Sequence, residues 1–177
     1  MAAVATSIET NPMRKLLIAK LVLNIGVGRS GESIERARLV IEDLAGQKPC
    51  SRDARESIRD FGVRKGEPIG VMATIRGERA ETVLKRLLEA KSSTLPISSF
   101  DGNGSISFGL REHIEIPGVR YDPDIGIFGL NASVLLERPA SRVKRRHLRR
   151  TKVGKRQRVN QDESITYFRE NFRITVT

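Results

Sequence analysis

The stretch that decides the fold is KLVLNIGVGRSG, residues 20–31. A strand-like apolar run passes into Gly26, Gly28 and Gly31, and the chain then takes up a helical pattern. Two readings compete. As a motif, the three glycines spell G-x-G-x-x-G, which in the right setting cradles a dinucleotide pyrophosphate on a helix N-terminus. As a surface, side chains alternate along a strand. Lys20, Val22 and Asn24 then share one face, and Leu21, Leu23 and Ile25 the other. The first reading predicts a nucleotide-binding enzyme, the second a half-buried sheet with a polar side.

Downstream, Ile34, Ala37, Val40, Ile41 and Leu44 recur at three and four, which predicts a helix over 32–45 with one buried stripe, stopped by Gly46. Residues 47–53 read as a short edge strand. The segment 51–68, SRDARESIRDFGVRKGEP, has little periodicity and reads as a long, mobile, charged loop, a kind that is usually functional. Its Phe61 is either an anchor in the core, the commoner case, or a stacking side chain. A second strand is expected over 69–76, with Val71, Ala73 and Ile75 on one face, then an amphipathic helix over 78–91. Between Ile97 and Gly109, Asp101-Gly102-Asn103-Gly104 predicts a hairpin turn between two strands. Residues 114–129 are rich in Gly and Pro and read as an ordered loop, followed by a strand over 131–137. Asn160 with Glu163 marks a capped helix start, with Ile165, Phe168 and Phe172 on one face, and residues 173–176 close as a strand. Upstream, Asn11-Pro12-Met13-Arg14-Lys15 reads as a turn or a short helical start leading into the first strand, about Ile18 to Ile25. The fold class is α+β: a largely antiparallel sheet with helices on one face and a basic C-terminal extension. The 177 residues fit a single domain spanning 1–177.

Charge is unevenly placed. The chain carries 32 Lys and Arg against 21 Asp and Glu. Eleven of the basic residues, and no acidic one, fall between Arg138 and Arg158, so the rest of the chain is formally neutral. Such a run attracts a polyanion, because the guanidinium fork matches phosphate oxygens. A solvated tail, a nuclear localisation signal and an acidic membrane surface are the competing readings. The membrane is disfavoured because the run has no regular apolar face. Few aromatics favour reading phosphate and shape over stacking on single-stranded bases. Cys50 is alone, so an intrachain disulfide and a multi-cysteine zinc site are excluded, and a reduced intracellular setting is the simplest. The first seventeen residues lack the apolar run of a signal peptide, and no segment approaches membrane-spanning length.

Catalytic chemistry finds little support. For the dinucleotide motif a strand precedes, a helix follows and Asp53 lies at about the distance of a ribose-binding acid, but no further βαβ units follow. His113 and His147 are the only histidines, and Cys50 has neither histidine nor acid nearby and reads as a buried or half-buried thiol. Asp122 with Asp124, and Asp162 with Glu163, read as a turn and a helix start. Metal-ligand spacing is absent, and no cofactor is expected. The polar alternative is more productive. If the strands at 20 and 69 are neighbours, Lys20, Asn24, Thr74 and Arg76 form one plate, suited either to plain solvent or to the wide, shallow minor groove of an RNA helix.

Residues NPMRK, LVLNIGVG, LAGQKP, IRDFGVRKGEPIGV, SSFDGNGSISFGLREHIEIPGV, YDPDIGIFGLN and LERPASRVKRR, in order from Asn11 onward, resemble the large-subunit ribosomal protein family that binds 5S RNA, numbered five in bacteria and archaea and eleven in eukaryotes. The IPGVRYDP and basic blocks resemble its archaeal and eukaryotic branch. The resemblance implies a non-enzymatic ribosomal component in the cytoplasm, passing through the nucleus during assembly in a eukaryotic source. It implies as partners 5S rRNA in the central protuberance, large-subunit rRNA, peptidyl-site tRNA, a neighbouring 5S-binding ribosomal protein and a small-subunit head protein across a bridge. Family RNA contacts match Asn24, Gln47 and Thr74. Lys20, Arg14, Arg76 and Lys48 around the plate, with Arg142, Lys144, Arg145, Arg146, Arg149 and Arg150 of the basic run, complete the expected rRNA-binding set. The family's tRNA-facing tip matches the loop at 51–68, giving Arg52, Arg55, Arg59, Phe61, Arg64 and Lys65 a partner. Here Asp53, Glu56 and Asp60 dilute that loop's charge.

Overall fold

The computed structural model describes residues 11–119 and 122–177. The leader reading for residues 1–10, and Arg120 and Tyr121 of the Gly/Pro-rich loop, lie outside the described residues. Strands β1 (Leu17–Gly26), β2 (Cys50–Asp53), β3 (Pro68–Ile75), β5 (Ser105–Leu110) and β6 (Leu130–Glu137) form one sheet in the order β2-β3-β1-β6-β5; β4 (Thr94–Leu95) and β7 (Thr175–Val176) pair separately in parallel. Every pairing in the five-stranded sheet is antiparallel. The decisive stretch therefore lies on the central strand, and the alternation expected for it holds: Leu21, Leu23 and Ile25 are buried, while Lys20, Val22 and Asn24 are half-buried on the other side.

All the core lies on one side of this sheet. Helices α1 (Glu32–Ala45) and α2 (Glu78–Ala90) bring Ile34, Ala37, Val40, Ile41 and Leu44, and Ala80, Val83, Leu84, Leu87 and Leu88, against the buried faces of β1, β3 and β6. Helix α3 (Gln161–Phe172) opens on the expected reciprocal cap between Asn160 and Glu163, so two N–H groups that the helix leaves without intrahelical partners are satisfied. Its Phe168 is fully buried, edge-on to Phe100 with ring centroids 6.0 Å apart. The basic segment leaves β6 and returns into α3 and β7, so structured chain stands on both sides of it.

The dinucleotide reading fails on topology. Both neighbours of β1 run antiparallel to it, whereas a pyrophosphate cradle needs a parallel βαβ unit. Asp53, the would-be ribose acid, sits on the exposed edge strand β2. The glycines make a turn instead. Val27 and Gly28 both donate their N–H to the carbonyl of Ile69, and Gly28 adopts φ +76°, a left-handed conformation that a side chain resists. The chain thereby reverses so that α1 can lie over β3.

Four expectations need correction. Residues 51–68 are not one irregular loop: 51–53 belong to β2, Ile58 and Val63 bridge each other, and Ala54 is buried with backbone bonds to Glu67 and Gly66. Charged residues on both strands of this small hairpin hid the pairing. Phe61 is no core anchor; at its tip, beside the Arg59–Gly62 turn, it is 73% exposed. Cys50 is exposed rather than buried, because it lies on the edge strand β2. The hairpin at 97–109 has only one true strand: Ile97–Ser99 is a single 3-10 turn and Phe100 alone bridges Ile106. Gly104 in that turn has φ +79°, and a Cβ there would stand 2.9 Å from the Leu136 carbonyl oxygen. That close approach lets the Gly104 carbonyl accept the Leu136 N–H at 2.8 Å.

Candidate nucleic-acid interface

With the helices all on one side, the opposite face of the sheet stands open. Residues paired across antiparallel strands share a face, so the register lays this surface out in rows. One row runs Ser107, Ser133, Val22, Thr74; the next runs Gly109, Asn131, Asn24, Met72, Cys50; a third joins Ser105, Leu135 and Lys20. The Ser107 and Ser133 hydroxyls lie 3.0 Å apart. Gln47, just before β2, donates its Nε2–H to the Thr74 carbonyl at 2.8 Å, taking a place in the ladder before β2 begins. Asn24 and Thr74 thus lie on neighbouring strands and share one face of the sheet, and Gln47 is tied to its edge through the Thr74 carbonyl.

Side chains here offer amide and hydroxyl donors and acceptors with few charges. The cations stand at the periphery: Arg14, Lys48 and Arg76 are exposed, and Lys20 is half-buried at the end of the plate, beyond a β-bulge between Ile18 and Lys20. Asn131, Ser107 and Ser133 were not anticipated as site residues. Alternation in NASVLLE and in SISF put small polar groups on one side of two strands, but only the sheet order places those strands beside β1.

The basic segment is less free than its composition suggests. Arg138 is buried, its guanidinium donating to the carbonyls of Arg156 and Arg158 and meeting Glu163 at 2.7 Å. Lys144 and Arg145 both approach Glu137, at 2.6 and 2.9 Å. Burial pushes the Glu137 pKa up, but the bonds from Lys144 and Ser141 and the charges of Lys144 and Arg145 outweigh it and hold the carboxyl below its ordinary range. Arg142, Arg146, Arg149 and Arg150 are exposed and take no part in the chain's ion pairs among the described residues. The same holds for Arg52, Arg55, Arg59, Arg64 and Lys65 of the 51–68 hairpin.

Among the described residues the groups weighed for catalysis do not come together. His113 is a buried histidine whose Nδ1 accepts the Phe128 N–H at 3.3 Å. Asp122 forms a turn with the Asp124 N–H, and no three His, Cys, Asp or Glu side chains cluster for a metal among the described residues. No helix among these residues is long and apolar enough to cross a membrane.

Residues 11–64 match the family model described as Ribosomal protein L5, and residues 68–165 match the model of the same family's C-terminus. The two matched parts interleave in one sheet, β1 and β2 coming from the first and β3, β5 and β6 from the second. The chain is 50% identical to the large ribosomal subunit protein uL5 of Nitrosopumilus maritimus over 94% of its length and 96% of that protein's. It is 46% identical to the uL5 proteins of Sulfurisphaera tokodaii, over 94% of each chain, and of Methanosphaera stadtmanae, over 94% of this chain and 99% of the other. With two family models covering most of its length and archaeal relatives near half identity, the chain belongs to the ribosomal protein L5 family.

Proposed function

We propose that this non-enzymatic ribosomal protein docks 5S rRNA on its open sheet face, within the central protuberance of the large subunit of cytoplasmic ribosomes. One observation carries the reading: among the described residues no helix covers the second face of the five-stranded sheet, which carries Asn24, Thr74, Asn131, Ser107 and Ser133, with Gln47 bonded at its edge. An RNA minor groove is wide and shallow, and its 2′-hydroxyls are both donors and acceptors, so short amides and hydroxyls on a flat plate match it. The peripheral cations and the free arginines of the basic segment engage phosphates of 5S and large-subunit rRNA. The 51–68 hairpin projects Phe61 and five unpaired cations, and it is the element that would reach peptidyl-site tRNA. The remaining partners, a neighbouring 5S-binding protein and a small-subunit head protein, rest on the family resemblance.

Salt titration of binding to a 5S RNA fragment tests the docking. The logarithm of the affinity should fall linearly with the logarithm of salt, with a slope of roughly −0.7 to −0.9 per phosphate contacted. Binding that ignores salt, or no binding, refutes it. Deleting Arg59–Gly62 should leave 5S affinity unchanged and weaken tRNA placement on assembled subunits; loss of 5S binding would overturn that division of labour.

A further inference from the structure

We propose that Glu137 and Arg138 are positioning residues that fold the basic segment into a closed loop before any RNA arrives. They are adjacent, oppositely charged, and 7% and 8% exposed, yet each spends its charge on a different limb of the loop that follows. Glu137 gathers the outgoing limb. Its Oε2 accepts from the Ser141 hydroxyl at 2.7 Å and from Arg145 at 2.9 Å, and Lys144 Nζ stands 2.6 Å from Oε1, so residues 139–144 wind in a 3-10 helix around one carboxylate. Arg138 holds the returning limb. One terminal nitrogen donates to the carbonyls of Arg156 and Arg158 at 3.0 and 3.3 Å, and the other meets Glu163 on α3 at 2.7 Å. Weaker ties close the interior: Thr151 N–H to the Val143 carbonyl at 3.4 Å, and Arg146 Nε–H to that of Arg149 at 2.9 Å.

The arrangement couples order to charge. A guanidinium out of water is costly wherever a donor lacks a partner: Arg138 Nε already has none among the described residues, so its burial rests on the two terminal nitrogens, and two of their acceptors lie eighteen and twenty residues ahead. Opening the neck therefore strands a buried cation beneath a run of further cations. Glu137 in turn lowers the segment's net charge, which weakens long-range attraction for a polyanion, while fixing where Lys144 and Arg145 point. A segment ordered in advance avoids the ordering cost of folding on its partner. The RNA-affinity part of this inference rests on the function proposed above; the preordered loop does not.

The test uses the full chain without RNA. Hydrogen exchange should show protection at the amides of Arg145, Arg146 and Thr151, and Glu137→Gln should lose at least about tenfold of it across 139–158 while β1 and β3 keep theirs. A wild-type loop that exchanges like unstructured chain, or a variant that exchanges like wild type, overturns the proposal. If Glu137→Gln does not fold, Lys144→Gln with Arg145→Gln attacks the same ion pairs from their exposed ends. The second readout separates positioning from screening by its sign. Glu137→Gln removes a negative charge, so a mere counter-charge predicts tighter binding to 5S rRNA at fixed salt. Positioning predicts weaker binding, by roughly three- to tenfold, the size of one or two oriented hydrogen bonds. Tighter binding refutes the role in RNA recognition. A protected loop in a chain that binds no 5S rRNA strikes the proposed function alone.

Discussion

Asn24→Ala and Leu23→Ala, made one position apart on β1, should fail in different assays. Leu23 is 0% exposed in the core beneath the sheet. Truncating it removes buried apolar surface and leaves a cavity, costing about 2–5 kcal/mol. For a chain of this length each kcal/mol moves the melting temperature by roughly 2–4 °C, so the drop should be about 4–20 °C. Asn24 sits on the uncovered side between Met72 and Asn131, so its truncation opens no cavity. Its stability change should stay within about 0.5 kcal/mol. Losing one hydrogen bond to RNA is worth about 0.5–1.5 kcal/mol, which raises Kd roughly two- to twelvefold. Thermal melts read the first effect and filter binding to 5S RNA at fixed salt reads the second, with the slope of affinity against salt unchanged because no phosphate contact is touched. If Asn24→Ala melts as early as Leu23→Ala, the position is core and the open-face assignment is wrong. Unchanged RNA affinity would refute the plate as the recognition surface.

The paired change Arg149→Gln and Arg150→Gln should do the opposite of Asn24→Ala, flattening the salt dependence by roughly 0.7–0.9 for each phosphate the two arginines engage; an unaltered slope means they face solvent in the complex. Gly104→Ala should cost about 1–3 kcal/mol in denaturant unfolding, since it forces a left-handed φ and crowds the Leu136 carbonyl; a neutral result would mean the turn relaxes freely. Phe61→Ala should leave the melting temperature within about 2 °C, given its exposure, and weaken tRNA placement on the subunit; a large loss of stability would return it to the core. For pH, the Glu137 carboxyl is depressed on folding, so its stabilising contribution is complete above the unfolded value of about 4.3 and is lost as pH falls through the lower folded value. The melting-temperature advantage of wild type over Glu137→Gln should therefore shrink as pH drops below about 4.3, and an advantage independent of pH would show that the ionised carboxylate is not what holds the loop.

Where sequence reading succeeded, one periodicity dominated. The 3.6-residue stripes of α1 and α2 and the alternation of β1 and β3 located these elements closely, and Gly46 and the Asn160–Glu163 pair marked helix ends through local backbone chemistry. It missed where pairing rests on non-local contacts. The Ile58–Val63 bridge lies between charged residues with no alternation, so nothing local distinguishes it from open loop. Cys50 reads as inward, and an inward anchor is the commoner case for Phe61, on the average habit of their residue types, but habit gives way on an edge strand and at a hairpin tip. Asn24 and Thr74 were legible as one face because only two strands needed to be neighbours. Asn131, Ser107 and Ser133 required the full order β2-β3-β1-β6-β5, which alternation alone leaves undetermined. Arg138 shows the same limit in charge: composition counts it among eleven equivalent cations, and only the returning limb reveals that it is buried.

The open face and the basic segment answer different parts of the recognition problem. A second layer packed on the plate would leave the Asn24 and Asn131 amides and the Ser107 and Ser133 hydroxyls to be desolvated against apolar side chains, a cost of about 1–3 kcal/mol for each group left unsatisfied. The sequence at these positions therefore selects water or a polar partner. A surface with so few charges gives little long-range attraction by itself, because hydrogen bonds act only at contact. The exposed cations supply that attraction, and at physiological salt they act over about 8 Å, so they must stand near the plate to guide a helix onto it. The strand register provides that proximity: Glu137 pairs with Leu17 in the row beyond Leu135 and Lys20, and it holds Lys144 and Arg145 directly. On the proposed function, the buried carboxylate at the end of β6 thus fixes where the basic segment leaves the sheet relative to the polar groups of the plate.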